Sequence, residues 1–151
     1  MKRFFVAIGM WLVRLTWGIL DTLVGFICFI ALLPWTKKVG IVANTIVIEL
    51  KLQNSAGGWG FSSGGFIFSN SPTIWDRDQF LYHEWGHSWP QIVAMGPLHP
   101  FLVSIPSAIR FWYRSKTKKW LAPYDAVWFE GTATRWGTRW FKWGAKHGLW
   151  K

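Results

Sequence analysis

Residues 4–35 are apolar at nearly every position, interrupted among charged residues only by Arg14 and Asp21 and with no proline before Pro34. That pattern predicts one long helix. At about 1.5 Å per residue it would reach about 48 Å, longer than the roughly 30 Å hydrocarbon core, so a single tilted transmembrane span with interfacial ends is expected. Arg14 and Asp21 stand seven positions apart, and at about 100° per residue they return to within about 20° of one face, each placed to meet a polar partner on a neighbouring segment. A shorter span over 22–35, with 4–21 as an interfacial arm, is the alternative. Lys2-Arg3 followed by an apolar core imitates a signal peptide, but Arg14 ends that core and no A-x-A-like cleavage site follows, so the segment is expected to be retained.

After Lys37-Lys38 the pattern changes to β-branched and then alternating residues over 41–52, which predicts a strand. The glycine- and serine-rich stretch 53–65 reads as a loop, and 65–69 as a second short strand, so the two strands are expected to form a β-hairpin. Ser71-Pro72-Thr73 breaks that strand. Asp76 as N-cap, with Gln79 three residues on, then predicts a helix start, and Pro90 should kink or end the helix that follows. Beyond the break at 96–100, the run 101–113 is too short to span a bilayer as a helix and is expected to be re-entrant, interfacial or core, with a basic loop at 114–119 after it. In the tail, Arg135, Arg139, Lys142 and Lys146 recur at helical spacing beside Trp136, Trp140 and Trp143, the pattern of a helix lying in a membrane interface. The fold class is therefore α+β and mostly helical, with an N-terminal membrane helix over 1–36 and a body over 37–151.

Composition sharpens the picture in two places. With 14 Trp and 12 Phe in 151 residues, disorder is excluded. Seventeen Lys and Arg against seven Asp and Glu give a net charge of +10, so the partners should be anionic: phospholipid head groups first, nucleic acid second. No nucleic-acid-binding motif is present, which demotes the second. The basic excess lies after residue 36 and places the C-terminal body on the cytoplasmic side. The lone Cys28 permits no internal disulfide.

The chemistry sits in His83-Glu84-Trp85-Gly86-His87, an H-E-x-x-H motif on the helix predicted from Asp76. Four residues advance a helix by about 400°, so the two imidazoles emerge about 40° apart and one turn along, a spacing that lets both bind one zinc ion. Glu84 then stands beside the metal, placed to take a proton from water rather than to ligate. Given four histidines in the chain, chance produces the motif in roughly 0.002 of such sequences.

The segment from Tyr82 to His87, followed by a later helix carrying an acid, resembles the zincin metalloproteases, particularly their small H-E-x-G-H gluzincin-like and membrane-bound forms. The resemblance implies a third zinc ligand from a downstream helix rich in small residues. Trp128-Phe129-Glu130-Gly131-Thr132-Ala133 looks like that segment, which makes Glu130 the expected ligand, ahead of Asp125 and His99. The position four residues on, where the family carries a supporting acid, is Thr134. The same resemblance implies an edge strand, here 65–69, that receives an extended substrate, and Tyr82, Tyr113 or Tyr124 as a group for the developing oxyanion. The function expected is a membrane-anchored zinc-dependent peptidase with Glu84 as general base and a peptide or protein substrate. The alternative is a non-catalytic membrane-associated protein that keeps the scaffold for metal binding or interaction.

Overall fold

The computed structural model describes residues 1–52, 59–76, 79–117 and 124–150. The N-terminal apolar run forms two helices rather than one: α1 (Lys2–Thr16) and α2 (Ile19–Leu32) meet at 96°. Among the described residues no single helix is long and apolar enough to cross a membrane, so the one transmembrane helix expected over 1–36 is not formed. The cause lies in its two charges. Arg14 is fully buried, donating to the Asn44 carbonyl at 2.6 Å, Thr45 Oγ1 at 2.7 Å and Ser88 Oγ at 3.1 Å. Its guanidinium also lies between the rings of Trp11 and Trp89. Asp21 is bonded by His99 and Ser104. Leaving either charge in hydrocarbon would cost several kcal/mol by order of magnitude, and the bend at Trp17-Gly18 brings both to polar partners in the body of the protein instead.

The sheet also differs from the expected hairpin. The stretch 41–52 is divided by a tight turn at Ala43 and Asn44, whose φ values of 46° and 61° are those of a primed hairpin turn. It joins β1 (Thr36–Val42) to β2 (Thr45–Leu50) in antiparallel register. The predicted strand near 65–69 becomes β4 (Phe66–Ser69), which lies inside the sheet and runs parallel to β2. A fourth strand, β3 (Gly60–Ser63), pairs antiparallel with β4 and gives the order β1-β2-β4-β3. Its glycine and serines read as loop, yet Phe61 stacks on Phe68 with centroids 4.7 Å apart, and that cross-strand pair holds the strand in place. Residues 53–58 of the predicted loop lie outside the described set.

Alternation along β2 and β4 sends Val47 and Ile67 to one face of the sheet and Ile48, Phe66 and Phe68 toward the other cluster. The first group packs with Met10 of α1 and with Leu81, Trp85, Phe141 and Trp150. The second packs under Cys28, Phe29 and Leu32 of α2. Trp85 is fully buried among Phe141 and Trp150, and burying its ring contributes on the order of 3 kcal/mol.

The motif helix is α3 (Gln79–Gly86). Asp76, the expected N-cap, instead closes the preceding 3-10 turn Pro72–Trp75; the described helix begins at Gln79, and residues 77 and 78 lie outside the described set. Pro90 neither ends nor breaks the helical path. The chain widens into a π turn, His87–Gln91, and resumes as α4 (Ile92–Met95). A residue without an N–H leaves the carbonyl four positions back without its α-helical donor, and a π turn replaces that donor with the residue five on. A second π turn, Pro100–Ser104, leads into α5 (Ile105–Thr117), which is bent 109° from the preceding path. Residues 118 and 119 of the basic loop lie outside the described set. The chain ends on α6 (Trp128–Lys146), after which Trp150 folds back over Trp85.

Candidate metal centre

Helices α3 and α6 approach closely because glycine faces backbone at the crossing. A Cβ on Gly86 would collide with the Ala133 carbonyl, and one on Gly137 with the Tyr82 carbonyl. This contact sets Glu130, in the first turn of α6, opposite the two histidines of the motif.

The three predicted ligands converge. His83 Nε2 and His87 Nε2 lie 3.2 Å apart, and Glu130 Oε2 stands 3.2 Å from the first and 3.1 Å from the second. All three residues are buried. Three corners of a tetrahedron with about 2.0–2.1 Å metal–donor bonds lie about 3.3–3.4 Å apart, so the donor triangle, slightly tighter than that, is of a size that could hold a zinc ion. The donor set of two imidazoles and a carboxylate suits the same ion.

The far side of each ligand is held as well. Gln91 gives its amide Nε2 to the Phe129 carbonyl at 2.6 Å and to Thr132 Oγ1 at 2.7 Å, which fixes its Oε1 as the acceptor for His87 Nδ1 at 2.7 Å. Thr134 Oγ1 donates to Asp125 Oδ1 at 2.9 Å and stands 2.8 Å from His83 Nδ1. With a metal bound, these outer partners would keep the proton of each imidazole on Nδ1 and leave Nε2 free to face the common centre. Ser107 of α5 donates to Glu130 Oε1 at 2.6 Å and turns Oε2 toward the histidines.

The rivals for third ligand fall elsewhere. Asp125 sits behind His83, reaching it through Thr134, and so supplies the acid expected four residues after Glu130 by a different route. His99 is bonded to Asp21 at 2.9 Å and does not belong to the donor cluster.

Glu84 is buried beside the ligands without joining them, its Oε2 accepting from Ser62 Oγ at 2.9 Å. It faces a cavity of about 340 Å³, lined also by Val24, Phe61, His87, His99 and Phe111. A second hollow of about 290 Å³, reaching His83 and Thr134, shares Trp59, Gly60, Glu84 and Phe111 with the first. The carboxylate thus stands where two hollows meet along β3. The strand expected at 65–69 to receive substrate is interior, and β3 takes its place at the sheet's end beside Glu84. Tyr82 packs on Phe141 and Tyr113 is exposed on α5, and neither lines the cavity. The side chain of Tyr124 lies outside the described set.

Gln91, Ser62 and Ser107 were not singled out in the sequence. Gln91 had a signal, standing one helical turn after His87; Ser62 and Ser107 are brought in by tertiary packing alone.

Protonation follows from this geometry. Burial by itself would lower His83, but the hydrogen bond to Glu130 and the charges of Glu84, Glu130 and Asp125 outweigh it and hold the imidazole above its ordinary 6.5. Burial would raise Glu130, but the hydrogen bonds from His83 and His87, the His87 charge and Ser107 pull it well below the usual carboxylate range. A depressed carboxylate adds stability above its ordinary 4.5 that is lost as pH falls through its folded value. A raised imidazole adds stability below 6.5 that is lost as pH rises through its folded value. Metal-free protein is therefore expected to gain most from this pair between pH 4.5 and 6.5, while the rise in Tm on adding zinc grows toward pH 8, because zinc takes neutral imidazoles. Thermal melts with chelator and with zinc across that range check both; a zinc increment that shrinks with rising pH would contradict the assignment.

No protein-family model, curated protein or solved structure matches the chain; the donor triangle, its outer hydrogen bonds and the free carboxylate beside it are what any account of function has to start from.

Proposed function

We propose that the chain is a membrane-associated zinc peptidase with a zincin-like active-site helix. The single observation that carries this reading is a buried His83–His87–Glu130 triangle of tetrahedral dimensions with an unligated Glu84 beside it on an open cavity. Zinc, when bound, supplies a Lewis acid that polarises the scissile carbonyl and makes water nucleophilic near neutral pH. Glu84, oriented by Ser62, accepts the proton that the attacking water loses and passes it to the departing amine as the carbon–nitrogen bond breaks. An extended peptide fits the hollows along β3, where main-chain pairing would present one carbonyl to the centre.

The test is the appearance of new internal N-termini in reduced, unfolded casein incubated with zinc-loaded wild-type protein, and their absence with Glu84→Gln. A wild type that holds zinc and cleaves nothing would replace this reading with the non-catalytic scaffold.

Two bent helix pairs support the membrane part of the proposal. Leu12, Leu15, Leu23 and Ile27 on α1 and α2, and Phe101, Ile105, Ile109 and Trp112 around α5, are all exposed apolar side chains. Trp140 and Trp143 of α6 are exposed as well, with Arg139 and Lys142 beside them. Such surfaces sit in one leaflet, with cations at anionic head groups. Co-sedimentation should therefore be stronger with phosphatidylglycerol-containing vesicles than with phosphatidylcholine alone. High salt should weaken binding to the former without abolishing it, and protein left in the supernatant of both would remove the membrane assignment.

A further inference from the structure

The two hollows that meet at Glu84 differ in chemistry. On the side of α2 and α5 the larger is lined by Val24, Val103 and Ala108, whereas the smaller, about 290 Å³, carries Asp125, Gln79 and Phe80 besides the shared rings of Trp59 and Phe111. A Cβ on Gly60 would collide with the Phe80 ring, so glycine at that place in β3 lets the ring close one wall. Asp125 is exposed, and its Oδ1 accepts from Thr134. Among the described residues no salt bridge joins it to a cation. Arg135 lies over Gly131 beside the Asp125 main chain and forms no ion pair with the carboxylate. Glu84, Glu130 and Asp125 together carry one negative charge more than a divalent ion in the triangle would balance. The chain as a whole is at +10, but charges more than about 8–10 Å away are largely screened, so the local excess decides what enters.

We infer that the smaller hollow is a subsite for a cationic side chain, lysine or arginine, beside the bond that is cut, with Asp125 as its specificity-determining residue and Trp59, Phe80 and Phe111 as its aromatic walls. The inference rests on the peptidase reading and narrows its substrate. An ammonium or guanidinium entering the hollow gains a charge-assisted hydrogen bond from Asp125 while its alkyl stem lies on the rings. A neutral side chain gains only the rings. Successive side chains of an extended peptide point to opposite sides, so the two residues flanking a bond at Glu84 can enter different hollows. The substrate is then a peptide with a basic residue toward Asp125 and an apolar one toward Val24 and Val103.

The experiment uses the full chain in detergent, zinc-loaded. Cut sites are mapped by mass spectrometry in random-sequence peptides, N-acetylated and unblocked, where lysine or arginine is expected at one fixed position beside the cut in both sets. A cut peptide with lysine at that position is then compared in kcat/KM with its norleucine twin. Wild type should favour lysine by about 10–100-fold and Asp125→Asn by no more than about 3-fold, while Gln79→Glu, which adds a carboxylate to the same hollow, should favour it more than wild type does. The ratio compares two substrates on one preparation, so a lower zinc content in Asp125→Asn cancels. Calorimetry gives a reading without turnover: Glu84→Gln should bind the lysine peptide more tightly than its twin, and adding Asp125→Asn should remove the difference. Wild-type cleavage with no basic residue favoured, a lysine preference that survives Asp125→Asn, or no gain in Gln79→Glu would each overturn the inference while leaving the peptidase reading intact. Cleavage confined to unblocked peptides would overturn it too, by giving the hollow to the α-ammonium group. If zinc-loaded wild type cleaves none of these peptides, the peptidase reading fails and this inference with it.

Discussion

Glu84→Gln is expected to keep one zinc per chain and to lose about 10³-fold in cleavage rate, the middle of the range that a positioned general base contributes. The substitution is nearly isosteric. Its amide oxygen still accepts from Ser62 Oγ, so β3 keeps its place against α3. What disappears is the ability to take a proton from water, and among the described residues no other carboxylate lines the larger of the two cavities. Elemental analysis beside initial rates separates loss of chemistry from loss of metal. Wild-type rates in a zinc-loaded Glu84→Gln protein would remove Glu84 from the mechanism and, with it, the peptidase reading.

His83→Ala and His87→Ala are each expected to weaken zinc by 10³-fold or more, on the order of what removing a direct donor costs when the groups behind a ligand alone are worth about 10–100-fold. The graded series makes the point sharper. Gln91→Ala and Thr134→Val, which free the far sides of His87 and His83, should each cost about 10–100-fold, and Asp125→Asn less than Thr134→Val because it acts one hydrogen bond further out. Competition against a chromophoric chelator measures all of them on one scale. Zinc affinity unchanged in both histidine variants would show the triangle to be a hydrogen-bonded core feature and nothing more.

How much of this was legible in the chain depends on the range of each interaction. His83, Glu84 and His87 could be read because helical period puts residues four apart on one side, a local rule that tertiary structure seldom overrides. Gln91 obeys the same rule. Glu130 lies 43 positions from His87, and no periodicity links them; it was found through resemblance to zincins, whose fold supplies the missing distance. Asp21 and His99 are 78 positions apart, so the chain announced only that a carboxylate in an apolar run needs a partner, without saying which. The apolar run itself misled for a physical reason: a helix wrapping a core and a helix crossing lipid present the same hydrophobic string, and what separates them is where Arg14 finds its acceptors. The turn at Ala43 and Asn44 was hidden by β-branched neighbours on both sides, and β3 by a composition poor in strand formers.

The glycine crossing of α3 and α6 carries one more implication. Where main chain rests on main chain, the separation of the two rods is a property of the polypeptide itself and does not depend on which side chains decorate them. Substitutions on the outward rows of α6, at Arg139, Trp140 or Trp143, can alter what the surface meets while leaving the interatomic triangle at its interior end unchanged. A single methyl group at Gly137, by contrast, would act as a wedge at the fulcrum and spread the ligands apart without touching any of them.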